Sequence, residues 1–142
     1  MLSQCFPHAP LTGIDLVSRP EDLPEGISWK SGDIFQTPLS GGVLVGCMIL
    51  HHFSGEQLAG LGRLCMAFQV VCFNEPWRHS SAHAIGALMR PLFGSVTRHD
   101  LHVSVDAGFQ KGELPDLLGL RGWQIRESVD LRGAIRLIAW KE

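Results

Sequence analysis

Short apolar runs of strand length alternate along the chain with longer segments of helical periodicity. The runs at residues 11–17, 27–35, 41–50 and 69–74 predict four strands. The run at 41–50 is apolar at nearly every position, which is typical of a strand buried on both faces. This alternation predicts an α/β domain in which helices cover both faces of a parallel sheet.

Three segments between and after these strands have the spacing of helices. Ser54 and Gln57 form a capping-box pattern, and the apolar positions that follow predict a helix over 55–67. A second helix is predicted over 80–92, where apolar residues recur on one helical face. A short third helix is predicted over 113–118, and the glycine that follows directly marks its end.

The C-terminal part of the sequence predicts an antiparallel hairpin. Two runs that alternate apolar and polar residues, 123–130 and 134–140, are joined by only three residues. A connection this short requires antiparallel pairing. The segment 101–105 also alternates, so its periodicity alone predicts a strand.

Composition limits the class of protein. The chain has 142 residues, 45% of them hydrophobic, which is enough apolar material for one packed domain. The formal net charge of -2 leaves no broad basic surface for a phosphate backbone, so we expect no nucleic-acid partner. The longest apolar run is too short for a membrane span and the start does not have the pattern of a signal peptide. We therefore expect a cytoplasmic protein with no membrane partner.

The cysteines and histidines do not have the spacing of a metal site. The four cysteines form no CxxC pair, so we expect them to be reduced and mostly buried, with Cys47 a core residue rather than a nucleophile. His79 and His83 have the i, i+4 spacing of two helical ligands, but no third ligand is evident. The sequence therefore predicts no bound metal.

Polar residues at the ends of the predicted strands are the candidates for chemistry. Ligands of open α/β sheets bind beyond the carboxyl ends of the strands, where Asp15, Asp33, residues 48–52 and Glu75 fall. An acidic residue at the end of an early strand can accept hydrogen bonds from both ribose hydroxyls of a nucleoside cofactor. Each of these acids can instead cap a turn or a helix.

Five short motifs in order resemble one enzyme family. They are LTGIDL at 11–16, SGDIF at 31–35, ILHHF at 49–53, NEP at 74–76 and TRHD at 97–100. Together they resemble the Rossmann-like (class I) S-adenosylmethionine-dependent methyltransferases, and most of all the branch that acts on small molecules. The resemblance implies a helix after residue 100, in place of the strand that periodicity predicts there. It also implies the antiparallel last pair of strands.

The resemblance implies a role for individual residues. Asp15 matches the acid that binds the ribose hydroxyls, and Asp33 with Ile34 matches the pair beside the adenine. Met48 begins the segment that borders the methionine part of S-adenosylmethionine and the substrate. Methyl transfer needs mainly positioning, with a base to deprotonate a hydroxyl nucleophile. The candidate catalytic residues are His51, His52 and His99.

The sequence also departs from this family at its start. The family opens with a strand and a glycine-rich turn that lets the backbone approach the cofactor, and no such turn precedes Leu11. The chain therefore resembles a member truncated at the N-terminus: a single methyltransferase-like domain over 1–142 that lacks the first βα unit. The fold class that this implies is an incomplete Rossmann-like sheet with helices on both faces and a C-terminal antiparallel hairpin.

The missing strand leaves several alternatives open. In the family it lies between the strands at Leu11 and Val43, so its loss exposes two rows of unpaired backbone groups. Those two strands can pair directly, two copies can pair as a homodimer, or a partner chain can cover the gap. The predicted function is methyl transfer from S-adenosylmethionine to a small molecule. The alternative is a catalytically inactive remnant or a dimeric interaction module with the same fold.

Overall fold

A computed structural model describes residues 2–80, 105–130 and 133–142. The chain divides into two compact units, Met1–Leu39 and Ser40–Glu142, each of which is described by itself. Across the described ranges no helix is long and apolar enough to cross a membrane.

The N-terminal unit is built on a pair of parallel strands. It contains helix α1 (Leu2–Cys5), strand β1 (Leu11–Asp15) and strand β2 (Ile27–Ser31). The pairing runs in register from Leu11 opposite Ile27 to Asp15 opposite Ser31. Both strands were expected from the apolar pattern, although β2 ends at Ser31, before the predicted end at residue 35.

A single arginine fixes the connection between β1 and β2. The Arg19 guanidinium donates hydrogen bonds to the carbonyl oxygens of Leu23, Pro24 and Ile27, at 3.2, 3.2 and 2.6 Å. Three backbone acceptors on one planar donor group hold the turn-rich segment closed, because the guanidinium presents its donors in a fixed geometry. The carboxyl ends of β1 and β2 lie side by side because the two strands are parallel and in register.

In the residues that the structure describes, the C-terminal unit contains a four-stranded sheet and helices that pack against it. Its elements are strand β3 (Gly41–Cys47), a 3-10 turn (Leu50–His52), helix α2 (Gly55–Cys65), strand β4 (Phe68–Pro76), helix α3 (Glu113–Leu117), strand β5 (Gln124–Val129) and strand β6 (Ala134–Trp140). The strand order is β3-β4-β6-β5. β3 and β4 are parallel, and β6 runs antiparallel to both β4 and β5.

Several local predictions are confirmed in this unit. Ser54 and Gln57 form both hydrogen bonds of the capping box at the start of α2. The C-terminal hairpin forms as expected, with β5 and β6 antiparallel. β4 runs further than predicted, because Glu75 and Pro76 continue its pairing with β6. Pro76 is tolerated there since it is the last residue of the strand.

One face of the four-stranded sheet carries the core. Alternate residues of β4 and β6 point to this face and are buried, and α2 and α3 contribute further apolar side chains to the same core. The buried apolar residues of these elements include Val71, Phe73, Ile135, Leu137, Ala139, Leu58, Leu61, Cys65 and Leu114. Burial raises the pKa of the Cys65 thiol to about 11.

The opposite face is more exposed than the sequence predicts. The expectation that β3 is buried on both faces is wrong, since Val43 and Val45 are 56% and 48% exposed. Ile138 and Trp140 on β6 are also partly exposed. The physical reason is that β3 is an edge strand among the described strands, so β4 flanks it on one side only.

The prediction that the cysteines are mostly buried is also wrong. All four cysteines are free thiols, but only Cys65 is buried, whereas Cys47 and Cys5 are exposed and Cys72 is half-buried. Cys47 was expected in the core because of its apolar neighbours in the sequence. Its side chain lies on the uncovered side of the edge strand, so it is accessible.

The strands at Leu11 and Val43 do not pair directly. β1 pairs with β2 and β3 pairs with β4, in two separate sheets, so that alternative is wrong. The predicted helix over 80–92 falls almost wholly outside the described residues. Residues 101–104 are also outside them, while 105–107 are helical.

The contact between α2 and α3 yields a first prediction. A Cβ atom added at Gly62 of α2 would overlap the backbone carbonyl oxygen of Leu118, whereas one added at Gly55 meets nothing within 4 Å. Gly62→Ala should lower the free energy of unfolding by about 2 kcal/mol, the usual cost of overpacking. Gly55→Ala, in the same helix, should leave it equal or slightly higher. Urea unfolding followed by circular dichroism measures both, and equal midpoints would contradict the close helix contact.

Candidate functional site

The carboxyl ends of β1 and β2 bring two predicted residues to one edge. The Gly32 N–H donates to the Asp15 carbonyl oxygen at 2.8 Å, which places Asp33 beside the end of β1. The Asp15 carboxylate is exposed, and the hydrogen bond it accepts from the Val17 N–H is long, at 3.4 Å. Asp15 therefore retains most of its capacity to accept hydrogen bonds from a ligand.

The Asp33 carboxylate accepts more local hydrogen bonds than the Asp15 carboxylate does. Its Oδ1 accepts a hydrogen bond from the Phe35 N–H at 2.9 Å, and Oδ2 accepts a long one from the Gln36 side chain. This is the turn-capping arrangement that an aspartate commonly adopts. Ile34, the other residue expected beside an adenine, is half-buried.

Met48 begins the candidate site of the C-terminal unit. It follows β3 directly and has a φ of 54°, the left-handed region that favours glycine. Its N–H donates to the Asn74 carbonyl oxygen at 2.8 Å, and its side chain is 46% exposed. A non-glycine residue held in this conformation is strained, and such strain is concentrated at functional sites.

A fully buried carboxylate holds the turn that follows Met48. Glu75 lies near the end of β4 with no exposed surface. Its Oε1 accepts hydrogen bonds from the N–H groups of Ile49 and Leu50, both at 3.0 Å. Its Oε2 lies 2.8 Å from Nδ1 of His51 and accepts a longer bond from the His51 N–H. Four donors thus compensate the desolvation of one carboxylate.

This pairing fixes the orientation of the His51 ring. A carboxylate only accepts hydrogen bonds, so the network assigns the ring proton to Nδ1 and leaves Nε2 with its lone pair. The His51 side chain is only 3% exposed. The arrangement matches the orientation of a general base, in which a carboxylate holds one imidazole nitrogen and the other is free to take a proton.

His52 lies beside this pair but in a different environment. It is exposed, and its ring centroid is 4.1 Å from that of His51 at an interplanar angle of 39°. The structure therefore brings Met48, His51 and His52 together in one turn, against Glu75. Asp15 and Asp33 meet in the other unit, and His99 lies outside the described residues.

His79 and His83 have the spacing of two metal ligands, and the structure describes only His79. His79 stacks on Trp77, with centroids 4.2 Å apart and ring planes 6° apart, and His83 is not among the described residues. No group of three potential ligands that could hold a metal ion occurs within the described ranges.

The sequence located Glu75 but did not assign its role. Its position at the end of a buried strand was the signal that placed it among the residues to weigh. The hydrogen bonds to residues 49–51 join positions about 25 residues apart, so no local sequence pattern predicts them. A charged residue that is buried within an apolar strand needs hydrogen-bond partners. The sequence signal for the role of Glu75 is therefore its place in such a strand.

Comparison with known proteins gives a fold but no relative in sequence. No family model and no curated protein matches the chain. The plantazolicin methyltransferase BpumL, in complex with SAH and a desmethylPZN analog, superposes with a TM-score of 0.75 at 12% identity, over 99% of this chain and 70% of that one. Human N-acetylserotonin methyltransferase, in complex with SAM, gives 0.65 at 14% identity, over 98% and 42%. The pyocyanin biosynthetic protein PhzM gives 0.65 at 20% identity, over 99% and 46%.

These similarities define the class of fold. The chain has the class I methyltransferase-like fold that the five sequence motifs indicated. It spans less than half the length of the human enzyme and of PhzM. Identities of 12 to 20% establish the architecture, and activity has to be argued from the site itself.

The buried carboxylate yields a second prediction. Glu75→Gln replaces one acceptor oxygen with an amide that faces donors, so the free energy of unfolding should fall by about 3 kcal/mol. Long-range ¹H–¹⁵N spectra should show that His51 no longer keeps its proton mainly on Nδ1. Glu56→Gln, on the exposed start of α2, is the control and should change neither measurement. An unaltered His51 spectrum in Glu75→Gln would refute the positioning role of Glu75.

Proposed function

We propose that the protein is an S-adenosylmethionine-dependent methyltransferase that acts on a hydroxyl group of a small molecule. The observation that carries the proposal is the His51–Glu75 pair, a buried, oriented imidazole at the carboxyl ends of two parallel strands. The sheet is of the kind found in methyltransferase structures with SAM or SAH bound. In such sheets the carboxyl ends of the strands are where ligands bind.

Asp15 is the residue best suited to hold the cofactor. Its exposed carboxylate can accept hydrogen bonds from two vicinal hydroxyls, as a ribose presents them. Asp33 and Ile34 are the proposed contacts for the adenine, and Met48 for the methionine part. When bound, S-adenosylmethionine supplies a methyl group activated on a sulfonium sulfur.

His51 is the proposed general base. Nε2 takes the proton of the acceptor hydroxyl, while the Glu75 carboxylate stabilises the positive charge that then develops on the ring. His52, exposed and with its ring tilted against that of His51, is the proposed contact for the substrate or for the release of the proton to solvent.

The alternative of an inactive remnant rests on Asp33. Its carboxylate already accepts two local hydrogen bonds, which leaves it fewer acceptor positions for a ligand than Asp15 has. A protein that keeps the fold but has lost its ligand contacts would have an aspartate bonded locally in this way. If the protein is active, the partner of the site is a small molecule, and an inactive remnant has no such partner. A cytoplasmic location stays a prediction from the sequence.

Cofactor binding is the most direct test. S-adenosylhomocysteine at millimolar concentration should raise the unfolding temperature, because a ligand that binds only the native state stabilises it. Asp15→Ala should weaken the affinity measured by isothermal titration calorimetry about tenfold or more, through loss of charge-assisted hydrogen bonds. Asp22→Ala, another exposed aspartate of the same unit, is the matched control. Absence of heat and of any thermal shift with the unaltered protein would favour the inactive remnant.

Methyl transfer to a panel of phenols, with radiolabelled S-adenosylmethionine as donor, tests the base. His51→Gln should reduce the turnover rate by about 10² to 10⁴ fold, the range for loss of a general base. Its affinity for S-adenosylhomocysteine should stay the same, since His51 acts on the acceptor. His8→Gln, an exposed histidine of the N-terminal unit, is the control. A turnover rate of His51→Gln close to that of the unaltered protein would remove His51 from the mechanism.

A further inference from the structure

The two edges of the four-stranded sheet differ in chemistry. β5, at one edge, carries Arg126 and Glu127, and charged side chains of this kind protect an edge from pairing with another strand. β3, at the other edge, has the sequence GGVLVGC, with no charge and no proline. Its valines are about half exposed. An uncharged apolar edge is a template for a further strand, because none of the described strands pairs with it on the outward side.

The hydrogen bonds of β3 show which residues face outward. The Met48 N–H points to β4, where it donates to the Asn74 carbonyl oxygen. Backbone groups alternate in direction along a strand, so Gly42, Leu44 and Gly46 also point to β4. Val43, Val45 and Cys47 therefore direct their N–H and C=O groups to the open edge.

The sequence of β3 is symmetric about Leu44. Reading outward from Leu44 in either direction gives a valine and then a glycine. In an antiparallel pair related by a twofold axis through Leu44, Val43 lies opposite Val45 of the second copy, and Gly42 lies opposite Gly46. The outward-facing residues then meet as hydrogen-bonded pairs, which is the condition for an antiparallel ladder. An isologous interface requires self-complementarity of this kind.

We infer that β3 pairs with the β3 strand of a second copy of this chain, antiparallel and centred on Leu44. The pairing joins two four-stranded sheets into one of eight strands. Cross-strand Val43–Val45 contacts form on the face where both side chains are exposed, and β-branched pairs of this type stabilise sheets. No charge is buried, and the formal charge of -2 on each chain gives only weak repulsion.

The size of the contact sets the expected affinity. A seven-residue strand is about 23 Å long, so edge pairing with its flanking apolar side chains buries less than the roughly 1,600 Å² of a standard stable interface. The dimer should therefore dissociate in the micromolar range. This inference is independent of the proposed methyl transfer, because it rests on β3 and not on the ligand contacts.

Sedimentation velocity over a concentration series tests the dimer. The unaltered chain should shift from 15.6 kDa toward twice that mass as its concentration rises through the micromolar range. Val45→Pro removes an outward N–H but no bond to β4, so it should give a monomer with an unchanged circular dichroism spectrum. Val45→Lys places a charge in the contact and should do the same if the proline variant fails to fold.

Ile125→Pro, at the β5 edge, is the matched control and should still dimerise, since Ile125 is exposed to a similar extent as Val45. A monomer at every concentration would overturn the inference and leave the edge to a strand of another polypeptide. Persistence of the dimer in Val45→Pro or in Val45→Lys would overturn it as well.

The register can be tested by cross-linking. Pairing centred on Leu44 places Gly41 opposite Cys47 of the second copy, with Cα atoms about 5.5 Å apart, which suits a disulfide. Gly41→Cys, in a Cys5→Ser background, should give a covalent dimer under mild oxidation. Adding Cys47→Ser should abolish that dimer. A covalent dimer that survives the loss of Cys47, or none at all, would contradict this register.

Discussion

In the C-terminal unit, the buried Glu75 carboxylate has lost its hydration, and hydrogen bonds from the protein must compensate that loss. Glu75 has no exposed surface, and a charge in that position is tolerable only because backbone and imidazole donors surround it. Those donors belong to the turn that follows β3, so the cost of burying Glu75 determines the path of that turn. The tautomer of His51 follows from these hydrogen bonds, and Met48, with its left-handed backbone, directly precedes the donors. The arrangement that compensates the buried carboxylate is therefore also the one that orients the proposed general base.

Much of the fold could be predicted from local patterns. The Ser54–Gln57 capping box and the terminal hairpin depend on neighbours in the sequence, and both form as expected. Burial of β3 was predicted wrongly because apolar composition does not reveal whether a strand is central or at an edge. That property depends on which strands are present to pair with it, and the exposure of Cys47 has the same origin.

The candidate site was predicted only in part, for a related reason. Asp15, Asp33 and residues 48–52 were located because the ends of parallel strands carry ligands. The role of Glu75 depends on distances across two strands, which spacing in the sequence does not encode. Capping by Asp33 depends on the backbone of the next residues, and for such an acid a ligand contact and a turn have the same sequence signature.

The position of β6 has a consequence for how the protein is made. β6 follows β5 in the chain, yet in the sheet it lies between β4 and β5. Until residues 134–140 have left the ribosome, β4 lacks its antiparallel neighbour and β5 has no strand beside it. Formation of this sheet therefore requires that nearly all of the C-terminal unit has already been translated. Nascent chains that lack these residues leave one edge of β4 without its hydrogen-bonded neighbour.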